Sequence, residues 1–334
     1  MDNVLVSVVM ANYKTQLDYL KEAIDSILNQ TFRNFELIII DDCSQDESLT
    51  YIQRLCDPRV KLVINERNMG LTKSLNKGLK LAAGKYIARM DSDDISCLNR
   101  IERQVSYMEK HPDTVVCGTW FEKFGVENIV RKPVIDDNDM YRCQLLFSNT
   151  PVTMCHPSVM MRVSVLKEYR IKYNEEIKKA QDYALWVECS RHGNMAILPE
   201  VLVRYRTHEK QISLDKKDEQ YYYADLISRM QLQELGIAFR EEEKRWRYDS
   251  VKTQREYLQF FSWISEIKEA NKIRKLVNPE ALEKYTDNKL KNAIKRLPFR
   301  EQVRILFFTE KKSRSLLRSL TYHSIAKRIG HEKS

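Results

Sequence analysis

Long apolar runs are missing from this 334-residue sequence: none approaches the ~20 residues that a helix needs to cross a bilayer. The first residues also lack the basic start and the small-residue cleavage site of a secretory signal peptide. The seven cysteines are odd in number and form no C-x-x-C pair, which argues against a zinc site and a disulfide framework. We therefore expect a cytoplasmic protein with reduced thiols.

Most of the chain lacks an excess of positive or negative charge. The net charge is +9, but residues 291–334 carry 12 Lys and Arg against 3 Asp and Glu, so the rest of the chain is neutral. A neutral body argues against nucleic acid as a partner, and no RNA or DNA motif is present. A basic segment after a neutral body indicates a tethering element instead.

The first hundred residues alternate between strand and helix patterns. Continuous apolar, β-branched runs are typical of strands buried on both faces, and apolar residues at helical spacing lie between them. This alternation predicts an α/β fold with a mostly parallel sheet flanked by helices. The predicted strands are 4–11, 35–42, 60–65 and 85–90, and the predicted helices are 17–30, 47–56 and 70–84, the last closed by Gly84.

Beyond residue 100 the pattern becomes mixed and then helical. Short strands are predicted at 115–118, 159–162 and 195–203, and helices at 137–147 and 180–192. After Asp215 the chain is highly charged and has few glycines, which indicates a helical region.

Polar side chains follow three of the predicted strands. Tyr13 follows the first strand, Asp41 and Asp42 end the second, and the segment D-S-D-D at 91–94 follows the fourth. Because ligands bind outside the carboxyl ends of parallel strands, we expect these side chains to face one crevice.

The D-S-D-D segment suits a metal ion. Asp91 and Asp93 point the same way if the chain stays extended. Paired carboxylates favour Mg²⁺ or Mn²⁺, whose open positions are usually filled by phosphate oxygens. The alternative is a helix start capped by Asp94 or Ser96. A metal that holds phosphates indicates a nucleotide, on whose base Tyr13 would stack.

Other residues surround this predicted nucleotide. Asp41 or Asp42 would accept a hydrogen bond from a base N–H or a ribose hydroxyl, whereas the alternative for Asp42 is a turn. The alternative for Tyr13 is packing against the first helix. The next turn and helix start add Asn68, Gly70, Lys73 and Asn76.

Four stretches together resemble the inverting nucleotide-sugar glycosyltransferases of family 2, which have the GT-A fold. They are VSVVMANYK, FELIIIDDCSQDES, NMGLTKSLNKGLKLAAGKYIARMDSDD and HPSVMMR, within a resemblance that covers roughly residues 4–213. The resemblance implies a GT-A (Rossmann-like) catalytic domain over 1–213, with a nucleotide half of about 1–100 and an acceptor half of about 101–213. A helical basic region over 214–334 follows.

The resemblance also implies roles for individual residues. Tyr13 lies near the nucleobase, and Asp42 contacts uracil. Asp93 is the direct metal ligand, while Asp91 faces the ribose or the metal's waters. Asp182, in KKAQDYALW, is the catalytic base, which takes a proton from the acceptor hydroxyl. Its alternative is a helix-terminal charge that the dipole favours.

The loop VRYRTHEKQIS resembles one that follows the base helix in relatives. Arg204, Arg206 and His208 would close over the diphosphate, with the alternative of an ordinary basic surface loop. His156 either faces the acceptor or is structural. The candidates are Asp182 as base, Asp91, Asp93 and His208 for the metal, and Ala11, Tyr13, Asp41, Asp42, Asn68, Gly70, Lys73, Asp91, Ser92 and Arg206 for the nucleotide.

Three features depart from the family's pattern. Ala11 and Lys14 stand where relatives often have Pro and Asn. Gln181 replaces the usual Glu beside the base, which puts the role of that Glu in doubt. The processive signature Q-x-x-R-W has only a chance match, EEKRW, with Glu242 in place of Gln. We therefore expect a non-processive enzyme.

The expected activity is metal-dependent, inverting transfer of one sugar from a nucleotide-sugar, a UDP-sugar by resemblance, in bacterial cell-surface polysaccharide synthesis. The acceptor is a hydroxyl of a saccharide or lipid-linked oligosaccharide. One alternative, a nucleotidyltransferase, would want a Gly-rich loop after the first strand, where ANYKTQLDYL has no glycine. The other, a non-catalytic scaffold of a polysaccharide assembly complex, would not need Asp182, Asp91 and Asp93 together.

The segment 297–330, LPFREQVRILFFTEKKSRSLLRSLTYHSIAKRIG, mixes apolar and basic residues. Such a basic amphipathic stretch can lie on an anionic membrane surface, here the inner face of the cell membrane. The alternatives are a helical cap on the catalytic domain and a contact within a homodimer.

Overall fold

The computed structural model describes residues 4–147, 154–208, 217–238, 240, 242 and 251–308. Contacts divide this part of the chain into two units. The first takes in residues 4–138, 154–208 and 217–223, and the second takes in 139–147 and the described residues from 224 onward. The boundary at residue 213 stays a prediction, and residues 139–147 group with the helical second unit.

The first unit is built on one nine-stranded sheet. Its strands are β1 (Val6–Asn12), β2 (Phe35–Asp41), β3 (Val60–Ile64), β4 (Tyr86–Asp91), β5 (Ile95–Ser96), β6 (Thr114–Gly125), β7 (Ile129–Arg131), β8 (Met160–Arg162) and β9 (Asn194–Thr207). The order is β3-β2-β1-β4-β8-β6-β9-β5, with β7 paired to β6. Strands β1 to β4 run parallel, whereas β8 is antiparallel to both of its neighbours, β4 and β6.

Helices flank the sheet and make up the second unit. They are α1 (Leu17–Leu28), α2 (Glu47–Gln53), α3 (Leu71–Leu81), α4 (Arg100–Lys110), α5 (Asn138–Phe147), α6 (Val163–Glu168), α7 (Gln181–Arg191), α8 (Lys217–Glu234), α9 (Gln254–Arg274), α10 (Pro279–Arg296) and α11 (Phe299–Phe308). The predicted α/β fold with a helical C-terminal region is confirmed.

The central strands are buried on both faces, which explains their unbroken apolar runs. Every residue of β2 is buried, and β1 shows the same pattern apart from Ala11. Helix α1 contributes Leu20, Ala23, Ile24 and Ile27 to the same core. Full burial stabilises each large aliphatic side chain by about 1.5–3 kcal/mol, so this core fixes the strand ends in place.

The prediction that Gly84 closes α3 was wrong. The helix ends at Leu81, and Ala82 is its C-cap residue. Gly84 lies instead against β1, where a Cβ would come 2.7 Å from the Ser7 nitrogen and 2.9 Å from the Val6 carbonyl carbon. A glycine is needed there because two backbone segments approach each other closely.

The second unit has an aromatic core. Phe147 of α5 meets Trp263 of α9 edge to face, with 5.8 Å between ring centroids, and Phe260 packs against the same tryptophan. None of the helices that the structure describes is both long and apolar enough to span a membrane. Of the predicted membrane-contacting segment, residues 309–330 lie outside the described part of the chain.

Candidate functional site

The carboxyl ends of β1, β2 and β4 meet at one edge of the sheet. Strand β1 pairs with β2 so that Asn12 lies opposite Asp41, and with β4 so that Ala11 lies opposite Asp91. The sequence places its polar strand ends at this edge because the three strands are parallel and in register.

Asp41 shapes the turn that follows β2. Its carboxylate is fully buried and accepts hydrogen bonds from Asn12 Nδ2 at 2.7 Å, Ser44 N at 2.9 Å and Ser44 Oγ at 2.6 Å. Both of its oxygens are therefore used within the protein, where they hold the turn.

Asp42 anchors the loop that leads into α3. One of its oxygens accepts hydrogen bonds from Asn65 Nδ2 and Met69 N, and the other accepts from Gly70 N, all at 2.8 Å. Gly70 has a φ of 86°, a left-handed conformation that glycine adopts without strain. Asp42 thereby positions two exposed candidates at the same edge, Asn68 in this loop and Lys73 in the first turn of α3.

The loop after β1 carries Tyr13 with an open ring. Its side chain is 48% exposed, and Lys14 Nζ lies 5.5 Å from the ring centroid. Two residues later, Thr15 Oγ1 lies 2.7 Å from Ser92 Oγ, which ties this loop to the D-S-D-D segment. An accessible aromatic face therefore lies beside the aspartates.

Asp91, Asp93 and Asp94 form the acidic trio of the site, with one carboxylate oxygen from each lying within 4.8 Å of the others. The alternative in which Asp94 or Ser96 caps a helix is wrong. Helix α4 begins only at Arg100, after Asn99, and Ser96 lies in β5.

Each member of the acidic trio has one oxygen engaged by a donor of the protein. The pairs are Arg89 with Asp91, His208 Nε2 with Asp93 at 3.3 Å, and Arg206 N with Asp94 at 2.7 Å. The second oxygen of Asp94 is buried and has no hydrogen-bond partner among the described residues. Burial, together with repulsion from Asp91, raises the pKa of Asp93 and of Asp94.

These features fit a hard divalent cation. Clustered carboxylate oxygens are the ligands that Mg²⁺ and Mn²⁺ prefer, and a cation would relieve the repulsion that raises the two pKa values. Of the three, Asp91 is paired with the permanent charge of the Arg89 guanidinium, which leaves Asp93 and Asp94 as the candidates for direct ligands. The sequence analysis did not count Asp94 among the candidate ligands because a helix start was the alternative explanation for it.

The end of β9 runs across the acidic trio because β5 pairs antiparallel with it, Ile95 opposite Arg204. Arg206 Nε donates to the Asp93 carbonyl oxygen at 2.8 Å, and its guanidinium pairs with Glu22. Arg204 pairs instead with Glu122 at 2.9 Å, so the structure brings Arg206 and His208 to the trio but not Arg204.

Asp182 lies in the first turn of α7 and is partly exposed. Its Oδ1 accepts a hydrogen bond from Tyr183 N at 2.9 Å. Burial raises the pKa of Asp182; the charge of Arg89 lowers it in part, and that of Asp91 raises it further. The charges of Arg89 and Asp91 thus both act on Asp182, whose role as the base stays a prediction.

His156 and Asn76 both hold Tyr173. His156 Nε2 lies 2.7 Å from the Tyr173 hydroxyl, and Asn76 bonds to the backbone nitrogen and oxygen of the same tyrosine, each at 2.9 Å. Burial, with a smaller effect from Arg89, lowers the pKa of His156 well below its usual value, so the imidazole is neutral. These contacts match the structural alternative for His156.

Arg89 was missed in the sequence, although a signal for it exists. It stands in β4 among buried apolar residues, two positions before Asp91 and therefore on the same face of the strand. An arginine in a strand buried on both faces needs a carboxylate partner, and Asp91 is that partner.

Comparison with known proteins gives three findings. Residues 7–170 match the family described as Glycosyl transferase family 2. An uncharacterized glycosyltransferase of Haemophilus influenzae is 35% identical over 67% of this chain and 72% of its own length. The Escherichia coli UDP-Glc:alpha-D-GlcNAc-diphosphoundecaprenol beta-1,3-glucosyltransferase WfgD is 30% identical over 66% of this chain and 83% of its own.

A solved structure shares the fold. The crystal structure of S. aureus TarS 1-349 in complex with UDP-GlcNAc superposes with a TM-score of 0.58 at 19% sequence identity, over 96% of this chain and 88% of that chain. At this identity the likeness concerns the arrangement of helices and strands.

Proposed function

Because the chain belongs to glycosyltransferase family 2, we propose that it transfers one sugar from a UDP-sugar to a hydroxyl of a saccharide or lipid-linked oligosaccharide. The observation that carries the proposal is the gathering of Tyr13, Asp42 and the acidic trio at one sheet edge, with Asp182 in electrostatic reach. WfgD, named as a glucosyltransferase that uses UDP-Glc and a diphosphoundecaprenol-linked acceptor, supports this substrate class and a place in bacterial cell-surface polysaccharide synthesis.

The donor half of the site binds the nucleotide. The Tyr13 ring stacks on the base. Asp42 and the loop that it anchors accept hydrogen bonds from a base N–H or a ribose hydroxyl. Asp93 and Asp94 would hold Mn²⁺ or Mg²⁺, which when bound would supply positive charge beside the leaving diphosphate. Arg206 and His208 border the same position from the end of β9.

Asp182 acts on the acceptor. Its carboxylate accepts the proton of the acceptor hydroxyl while the hydroxyl oxygen attacks the anomeric carbon from the face opposite the diphosphate. One such displacement inverts the configuration, so an α-linked donor gives a β-linked product. The chance match to the processive signature lies mostly outside the described residues, and the transfer of one sugar per encounter stays a prediction.

A screen of nucleotide-sugars tests this function. The protein is incubated with UDP-Glc, UDP-GlcNAc, UDP-Gal and GDP-Man, each with Mn²⁺, Mg²⁺ or EDTA, and the released nucleoside diphosphate is measured. We expect release from a UDP-sugar that depends on the metal. Release from no donor would contradict the proposal, and formation of a nucleotide-sugar with pyrophosphate from UTP and a sugar phosphate would indicate a nucleotidyltransferase.

Tyr13→Ala is expected to weaken UDP binding by about tenfold, since stacking of a base on an aromatic ring is worth about 1–3 kcal/mol. The melting temperature should be unchanged because the ring is half exposed. Isothermal titration calorimetry with UDP measures the change. Tyr169→Ala is the matched control, as its side chain is 47% exposed and stacks on His192. Equal UDP affinity in both variants would remove Tyr13 from the site.

Attachment of residues 297–330 to an anionic membrane surface and formation of a homodimer both stay predictions from the sequence. Helix α11 covers Phe299–Phe308 of this segment.

A further inference from the structure

Arg89 is a buried cation behind the acidic trio. Its side chain is 3% exposed, and one terminal nitrogen pairs with Asp91 Oδ1. Its Nε and Nη1 atoms are buried and have no hydrogen-bond partner among the described residues. The guanidinium therefore makes a single ion pair and keeps unused donors, an arrangement that packing alone does not explain.

The charge of Arg89 acts on the acidic trio and on Asp182. Burial by itself would lower the pKa of Arg89, but the charge of Asp91 and its hydrogen bond outweigh burial and raise it. The same positive charge acts on Asp93, Asp94 and Asp182. Arg89 is thus a permanent positive charge placed next to the position where a cation would bind.

The fixed positive charge of Arg89 opposes the binding of a metal ion nearby. The acidic trio carries three negative charges when ionised, and Arg89 cancels one of them through Asp91. The guanidinium of Arg206, which also lies at the trio, pairs with Glu22. The acidic trio therefore attracts a divalent metal ion less strongly when the ion binds alone. A metal ion that binds together with a nucleoside diphosphate is accompanied by further negative charge, which Arg89 attracts.

We propose that Arg89 is a positioning residue that keeps Asp91 in its ion pair and lowers the affinity of the free enzyme for a cation, so that the cation and the nucleoside diphosphate bind together. This inference rests on the proposed function. It assigns Asp91 to the protein side of the site and leaves Asp93 and Asp94 as the direct ligands.

Mn²⁺ titration of the full-length protein followed by electron paramagnetic resonance, with and without UDP, tests the inference. In the wild type, UDP should strengthen Mn²⁺ binding strongly. In Arg89→Met, the Mn²⁺ affinity without UDP should rise by about tenfold, because a positive charge has been removed near the cation. The gain from UDP should fall correspondingly. Arg89→Lys keeps the charge and should behave as the wild type.

A second pair of variants covers the case in which Arg89→Met does not fold because Asp91 loses its partner. Adding Arg89→Met to Asp91→Asn removes the same positive charge without leaving an unpaired carboxylate. The double variant should bind Mn²⁺ without UDP about tenfold more tightly than Asp91→Asn alone. Equal affinities in both comparisons would overturn the inference and leave Arg89 a structural residue, while the proposed function would stand. A wild type that binds neither Mn²⁺ nor UDP would overturn both.

Discussion

Asp182→Asn is expected to lower the turnover number for sugar transfer by about 10²–10⁴-fold, the usual contribution of a positioned general base. The amide cannot take the proton of the acceptor hydroxyl, while the shape of the first turn of α7 is kept. UDP affinity in Mn²⁺ should stay within about twofold, because Asp182 acts on the acceptor and not on the nucleotide. Steady-state transfer assays and UDP calorimetry on the same preparation measure the two quantities.

Glu188→Gln is the matched control for this change. Glu188 lies on the same helix and is half exposed, and its contact is an ion pair with Arg191 at 3.5 Å. It should transfer sugar at the wild-type rate. Full transfer activity in Asp182→Asn, or an equal loss in Glu188→Gln, would contradict the assignment of the base.

The pH dependence of the transfer rate also tests Asp182 as the general base. A general base works only when it is deprotonated, and burial raises the pKa of Asp182 above that of an ordinary aspartate. The rate should therefore fall as the pH drops through this raised pKa, so the acidic limb of the profile lies at a higher pH than an exposed aspartate would give. The acidic limb should disappear from the residual activity of Asp182→Asn.

The strands that position the site were predictable because local pattern determines them. Buried parallel strands such as β1 and β2 leave unbroken apolar runs, and the polar residues that end them follow directly in the sequence. Strands β5 and β7 were missed because they have two and three residues, too few to show a period. The partner of β5 is also distant in sequence, since Ile95 pairs with Arg204 of β9.

The roles within the site depended on contacts that sequence spacing does not reveal. Asp41 and Asp42 are adjacent and chemically equal, yet the first holds its own turn and the second anchors the loop at Gly70. Asp94 becomes part of the acidic trio because one of its oxygens is held by Arg206, 112 positions further along the chain. Only the folded chain shows which oxygen is occupied and which is left for a ligand.

Asp93→Ala is expected to remove the strengthening of UDP binding by Mn²⁺, with an affinity loss in Mn²⁺ of about tenfold or more. Asp93 would supply one of the carboxylate oxygens of the proposed cation site, and without it Asp91 and Asp94 form a weaker and less enclosing ligand set. UDP binding in EDTA should hardly change, since the carboxylate reaches the nucleotide through the metal. Calorimetry in Mn²⁺ and in EDTA separates the two effects.

The melting temperature of Asp93→Ala shows whether the loss of UDP affinity comes from unfolding. Burial, with repulsion from Asp91, raises the pKa of Asp93 in the folded protein, so its contribution to stability is present at low pH and lost as the pH rises through that pKa. At neutral pH without metal, Asp93→Ala should therefore melt at the same temperature as the wild type or higher. Asp18→Asn, whose side chain is 79% exposed on α1, is the control and should keep UDP binding in Mn²⁺. If Asp93→Ala bound UDP in Mn²⁺ as tightly as this control, the cation would have to be held elsewhere, and the acidic trio would lose its proposed role.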